Sequence, residues 1–202
     1  MSAVVAKLRE LETPGQGRTY LRLAGLVDRL EMKEGYAGGH ASAVGAIALA
    51  IATELRLSAA DRRSVELGAL LHDVGKLSIP DRVLMKPGPL NELEWEAMRR
   101  HATLGERLLA RIVQQPEVLA AVRSHHERWD GSGYPDGKRG EEIPIESRII
   151  LVCDAYHAMT TDRPYRKRLS QEEALRRLDE GAGTQFDPAV VDVCKRVLAE
   201  SL

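Results

Sequence analysis

The sequence is short of cysteine, of net charge and of long apolar runs. Only Cys153 and Cys194 occur among 202 residues. Both lie in apolar stretches with helical patterning, so no disulfide framework is expected, and a reducing cytoplasm is the expected compartment. Lys and Arg number 29 against 30 Asp and Glu, with a pI near 6.6. That balance excludes a general binder of nucleic-acid polymers, which would carry a basic excess. It leaves room for a small phosphorylated ligand held by a few local cations. The longest apolar run, around Ala43 to Ala52, is too short to span a bilayer, so no membrane partner is expected. Met1-Ser2-Ala3 opens without a signal-peptide pattern. No internal repeat or low-complexity tract is visible.

What is present is helix nearly throughout, and the expected fold class is all-α. A hydrophobic content of 44% can fill a sizeable core. Val4, Val5, Leu8 and Leu11 share one side of a first segment, and Thr13-Pro14-Gly15 ends it. Tyr20, Leu23, Ala24, Val27 and Leu30 form the stripe of a second. Gly35, Gly38 and Gly39 interrupt before a helix from His40 to about Leu55. This places a short N-terminal helical pair at 1–35 and a helical body at 36–202. Ser58 with Asp61, Asn91 with Glu94, and Ser170 with Glu173 read as helix-opening caps. The Asn91 helix is expected to run unbroken through His101 to Ile112. Pro116 and Pro188 sit at favoured first positions. Glu127 to Pro144 is a glycine-rich charged loop. Arg148 to Cys153 could pass for a buried strand, but no second strand exists to pair with it, so helix is expected.

The histidines carry the chemistry. His40 heads the run Val44, Ile47, Ile51, Leu55; His72 follows Val65 and Ala69; His101 lies on the stripe Leu93, Ala97, Leu104, Leu108. His125 and His126 continue the faces of Val118, Leu119 and Val122. Each spacing is three or four residues, which keeps side chains on one helix face. Buried imidazoles without partners are costly. Several of them converging with Asp73 and Asp154 need something to bind, and a metal cluster answers that need. His72 and Asp73, adjacent at a helix end, point about 100° apart and can serve one metal while the carboxylate bridges to a second. Histidine and carboxylate ligands suit iron or manganese without selecting between them.

Ordered motifs run through these positions. They are Leu70-Leu71-His72-Asp73-Val74-Gly75-Lys76, Lys86-Pro87-Gly88-Pro89-Leu90, and His101 with Gly105. The run from His125-His126 through Gly133-Tyr134-Pro135 follows, and then Asp154 through Asp162-Arg163-Pro164-Tyr165-Arg166. The chain resembles the HD-GYP family of HD-domain phosphohydrolases. The resemblance implies an HD-domain helical bundle with a C-terminal GYP extension, and cleavage of the bacterial second messenger cyclic di-GMP. It implies two divalent metal ions, with iron favoured and manganese the alternative. One would be held by His40, His72, Asp73 and Asp154, the other by His101, His125 and His126, with Asp73 bridging. It gives Lys76 a place against phosphate and turns the Arg163, Tyr165 and Arg166 patch toward the cyclic dinucleotide. An arginine there can fork phosphate and the tyrosine can stack a guanine. The Gly133-Tyr134-Pro135 loop is expected to shape and pack against the site, and the family implies that it also docks regulatory proteins.

Two positions depart from the family. A glutamate that recruits a third metal in some members is replaced by Tyr36, with Glu34 two residues off and beyond Gly35, so two metals are expected. An acid three residues after the aspartate ligand is replaced by His157, which shares the face of Asp154 and is expected either to touch substrate or to pack. The expected reaction is phosphodiester hydrolysis, in which two cations lower the pKa of a shared water and offset charge on the phosphoryl oxygens. Products would be pGpG, GMP or both, with Asp73 essential and Lys76 a candidate proton donor. A phosphohydrolase for cyclic GMP-AMP or another nucleotide, and a non-catalytic receptor for cyclic di-GMP, are the rival readings. Retention of every ligand favours catalysis. The apolar faces of the N-terminal pair are expected to pack on the body or to join two copies in a homodimer.

Overall fold

A computed structural model describes residues 3–11, 17–34, 39–162 and 167–199. The described residues form eleven α-helices and contain no strand; one isolated bridge joins Ala182 and Phe186. The helices are α1 (Ala3–Glu10), α2 (Gly17–Glu34), α3 (His40–Glu54), α4 (Ala59–Leu71), α5 (Asp81–Leu84) and α6 (Glu92–Arg99). They continue with α7 (His101–Leu109), α8 (Pro116–Ser124), α9 (Ile145–Thr160), α10 (Gln171–Gly181) and α11 (Pro188–Ala199). The ambiguous stretch from Arg148 to Cys153 lies inside α9.

The caps form as the sequence indicates. Ser58 Oγ accepts from the Asp61 amide at 3.2 Å, and Ser170 Oγ from the Glu173 amide at 3.2 Å. Asn91 and Glu94 close a reciprocal box in which each side chain accepts from the other's amide, at 2.9 and 2.8 Å. Each such cap is worth about 1 kcal/mol. Pro116 and Pro188 are the first residues of α8 and α11, where no amide hydrogen is needed.

One expected element differs. The long helix from Asn91 to Ile112 is two helices, α6 and α7, meeting at Arg100. Hydrophobic period alone could not reveal the break, because the stripe stays in phase across it. Short helical turns within the loops, at Val74–Ser78, Asp81–Leu84 and Gly140–Glu142, were also not foreseen.

Packing centres on α4, which is buried continuously from Ser64 to Leu71. On one side, Val65 and Ala69 join Val44, Ile51, Ile149 and Ile150 in a core completed by α10 and α11. On the other, Leu67, Leu70 and Leu71 join Val4, Leu8, Leu23 and Leu109. Burying each such leucine contributes about 1.5–3 kcal/mol. The N-terminal pair therefore shares a core with the body. His72 and Asp73 follow directly from the last turn of α4, where the two cores meet. Among the described residues no helix is long and apolar enough to cross a membrane.

Candidate metal centre

Helix ends, rather than helix middles, place most of the histidines. His72 and His125 cap the C-termini of α4 and α8, His126 follows, and His40 and His101 are the first residues of α3 and α7. The last four carbonyls of a helix lack partners within it. Three imidazoles use them. His72 Nδ1–H donates to the Ala69 carbonyl, His101 to that of Met98 and His125 to that of Val122, each at 2.7 Å. The break at Arg100 thus has a purpose: it puts Met98 in a final helical turn and His101 just beyond it.

A carbonyl only accepts, so each Nδ1 carries the hydrogen, and in the neutral ring each Nε2 presents a lone pair. Those lone pairs converge. His101 Nε2 lies 3.2 Å from His125 Nε2, and Asp73 Oδ1 stands 3.6 and 3.9 Å from the two. Two bare acceptors at that distance repel unless a cation lies between them. His72 Nε2 is buried with no hydrogen-bond partner, although Asp73 Oδ2 is 3.3 Å away. An orphaned buried nitrogen and a pair of opposed lone pairs are what a bound cation would resolve.

Among the described residues, two groups of donor atoms have all members within 4.8 Å of one another: Asp73, His101, His125 and His126, and His40, His72 and Asp73. Asp73 belongs to both. Asp154 stands one step outside the second group, its Oδ1 3.5 Å from His40 Nε2. The donor set is imidazole and carboxylate, which fits a divalent transition metal.

Burial holds most of these rings neutral and ready to ligate. It pushes His126 down to about 3, helped by repulsion from His101, and His40 down to about 4, helped by His72. His125 is held well below the usual imidazole range, by burial and then by His126. His72 goes the other way: burial opposes its charge, but Asp73 outweighs burial and raises it to about 9. Burial likewise opposes the Asp73 charge, yet Lys76 and His72 hold its carboxyl well below the usual range.

Lys76 Nζ sits 2.6 Å from Asp73 Oδ2 and 3.3 Å from Glu34 Oε1. Burial disfavours its charge, but Asp73 and Glu34 raise its pKa above the ordinary lysine value. The sequence marks Glu34 only as a displaced acid and shows no ligand in the N-terminal pair. In fact α2 reaches the site twice. Glu34 pairs with Lys76, and Lys33 Nζ donates to the Leu77 and Ile79 carbonyls at 3.2 and 2.7 Å, clamping the turn that follows Asp73. No local signal marks either contact, because each spans more than 40 residues.

Tyr134 of the glycine-rich loop stacks on His126, ring centroids 4.8 Å apart and 29° from parallel, and its amide donates to the His126 carbonyl at 3.2 Å. The loop packs against the site as expected. Its anchor, Glu127, was missed: the buried carboxylate accepts from the amides of Asp136 at 2.7 Å and Lys138 at 3.1 Å. His157 lies in the site, with Nδ1 3.0 Å from His40 Nδ1. Arg163, Tyr165 and Arg166 lie outside the described residues, as does Tyr36.

A cavity of about 740 Å³ opens over these groups, bordered by Leu90, Trp95, Met98 and Tyr134 and reaching Thr161 just past α9. It suits a small organic ligand in size and in its mix of apolar wall and converging polar groups. The family model described as HD domain matches residues 26–190. The chain belongs to the HD-domain family. The match takes in the His-Asp turn and every histidine of the HD-GYP motifs, so the resemblance read from those motifs holds.

Among characterised HD-domain relatives, the chain is similar to the cyclic di-GMP phosphodiesterase response regulator RpfG of Xanthomonas campestris pv. campestris. The two are 38% identical over 98% of this chain and 52% of the relative. It is similar to 3′3′-cGAMP-specific phosphodiesterase 3 of Vibrio cholerae, 37% identical over 84% of this chain and 37% of the relative. The crystal structure of a cyclic GMP-AMP specific phosphodiesterase from V. cholerae shares the fold, with a TM-score of 0.71 at 22% identity over 88% of this chain and 48% of that one. The chain spans about half or less of the length of these relatives.

Proposed function

We propose that this chain is a phosphodiesterase that hydrolyses cyclic di-GMP at a pair of divalent cations. One observation carries the reading: two groups of ligand atoms, each within 4.8 Å, share the Asp73 carboxylate. His40, His72 and Asp73, with Asp154 behind them, would hold one cation, and His101, His125 and His126 the other. Iron is the favoured ion and manganese the alternative. When bound, such a pair supplies a water of lowered pKa and offsets negative charge on the phosphoryl oxygens.

The chain's own residues do the rest. Asp73 fixes the spacing between the two ligand groups. Lys76, kept protonated by Asp73 and Glu34, is suited to meet a phosphate oxygen rather than to surrender a proton. Tyr134 and Trp95 border the cavity with aromatic surface for a base, and Tyr134 keeps His126 in place. Arg163, Tyr165 and Arg166 complete the dinucleotide contacts in this proposal.

The relatives' names favour a second substrate, cyclic GMP-AMP, for the same chemistry. Protein loaded anaerobically with Fe²⁺ or with Mn²⁺ is offered both dinucleotides, and products are separated by chromatography. Conversion of cyclic di-GMP to pGpG or GMP supports the proposal. Metal-replete protein that binds the dinucleotide and never cleaves it makes the chain a receptor. We assign regulatory docking to the Gly133-Tyr134-Pro135 loop and self-association to the outward side of the N-terminal pair, where Leu21 and Met32 are exposed; light scattering reads the latter.

A further inference from the structure

His40 and His157 meet through the same ring atom. Their Nδ1 atoms are 3.0 Å apart, across 117 residues of sequence. His157 Nε2 is 3.3 Å from Thr161 Oγ1, four residues on and just past the end of α9. A neutral pair joined Nδ1 to Nδ1 has two proton arrangements. If His157 donates, His40 carries its hydrogen on Nε2, the atom that faces Asp154 at 3.5 Å and would face a cation. If His40 donates, its Nε2 is bare, and His157 must carry its own hydrogen on Nε2, where the Thr161 hydroxyl accepts it. A cation on His40 Nε2 permits only the second arrangement.

We propose that His157 is a positioning residue for the candidate metal centre: it accepts from His40 Nδ1–H, fixes the tautomer that leaves His40 Nε2 free to ligate, and is itself aligned by Thr161. His72, His101 and His125 obtain the same service from backbone carbonyls of a preceding helical turn. His40 is the first residue of α3, with Gly39 before it, and its Nδ1 meets His157 instead. A side chain from α9 takes the carbonyl's place. The exchange conserves protons: the pair holds two ring hydrogens before and after, one on each imidazole.

This inference rests on the reading of His40 as a ligand, and its test separates the two. Metal-free protein is titrated with Zn²⁺ by calorimetry, and nitrogen-15 NMR of the Zn²⁺-loaded protein assigns each imidazole tautomer. In the wild type, His40 should carry hydrogen on Nδ1 and His157 on Nε2. His157→Phe keeps the ring volume but removes the acceptor, and should weaken one of the two Zn²⁺ sites about 10- to 100-fold. His157→Asn, whose amide oxygen reaches the place of Nδ1, should restore most of that loss. Equal Zn²⁺ affinity in the wild type and His157→Phe, or a hydrogen on His157 Nδ1 in the loaded wild type, overturns the inference while leaving the metal site standing. A wild type that binds no Zn²⁺ overturns both. Should His157→Phe fail to fold, Thr161→Val supplies the same test at one remove, because loss of the Nε2 acceptor weakens the relay without altering either ring.

Discussion

Gly75 offers the sharpest perturbation of the centre. It lies in the turn after His72 and Asp73, pressed against the start of α7. A Cβ built on it would stand 1.9 Å from the His101 carbonyl oxygen, 2.5 Å from the Gly105 nitrogen and 2.8 Å from the His101 carbonyl carbon. All three are backbone atoms, so no side chain can swing aside. Ordinary contact begins near 3.4 Å, so Gly75→Ala must separate the turn from α7 by about 1.5 Å, the difference between 3.4 and 1.9. That separation falls between Asp73 and His101, which now approach to 3.6 Å. Overpacking of this kind costs about 1–3 kcal/mol or more. A misplacement of about 1 Å at a reacting centre can cost about 100-fold in rate. Gly75→Ala should therefore lower the denaturation midpoint, bind fewer than two cations per chain by elemental analysis, and hydrolyse cyclic di-GMP at least about 100-fold more slowly. Gly25→Ala is the control: nothing lies within 4 Å of its added Cβ on α2, and it should be neutral or stabilising by up to about 1 kcal/mol. A Gly75→Ala protein with wild-type metal content and melting would refute the claim that this close approach holds the two ligand groups together.

Other outcomes follow from the same geometry. Asp73→Ala removes the carboxylate common to both ligand groups and should abolish turnover and reduce metal content; wild-type rate in that variant would sink the shared-carboxylate reading. Glu127→Ala deletes two charge-assisted hydrogen bonds from a buried acceptor, worth about 1.5–3 kcal/mol each. It should lower stability by about 3 kcal/mol and speed amide exchange at Asp136 and Lys138, and unchanged exchange there would count against it. Burial raises the Glu146 carboxyl above its ordinary value, so the folded state binds that proton more tightly than the unfolded one. Its neutral form is fully tolerated below the unfolded value near 4.5, and stability is lost as pH rises through the folded value. Glu146→Gln should consequently be more stable than the wild type at pH 7 and lose that advantage below about pH 4, as read by urea unfolding across the range; an advantage independent of pH would contradict the burial argument.

Much of this is legible in the sequence. Helical period placed His40, His72, His101, His125 and His126 on inward faces because the residues around them are unambiguous leucine, valine and alanine. The caps at Ser58, Asn91 and Ser170 are local chemistry and appear as read. What the sequence hid was tertiary. The break at Arg100 leaves the apolar stripe in phase, so periodicity cannot detect it. Glu34, Lys33 and Glu127 act through partners brought close by packing, and no spacing announces them. His157 is on the face read for it, but its contact with His40 has no signal in the sequence, and only the approach of α9 to α3 shows it.

The carbonyl bonds made by His72, His101 and His125 separate two tasks that metal sites usually combine. Aim is local: each ring takes its direction from a backbone oxygen three residues upstream, and that geometry exists as soon as the turn is wound. Range is global, set by how α4, α7 and α8 settle against one another. Related sequences can thus drift in core packing, sliding whole helices by fractions of an ångström, while these three rings keep pointing inward. Such a centre tolerates divergence of its scaffold better than one whose rings are steered by distant side chains. Within this chain, His40 is steered instead by His157, a side chain 117 residues away.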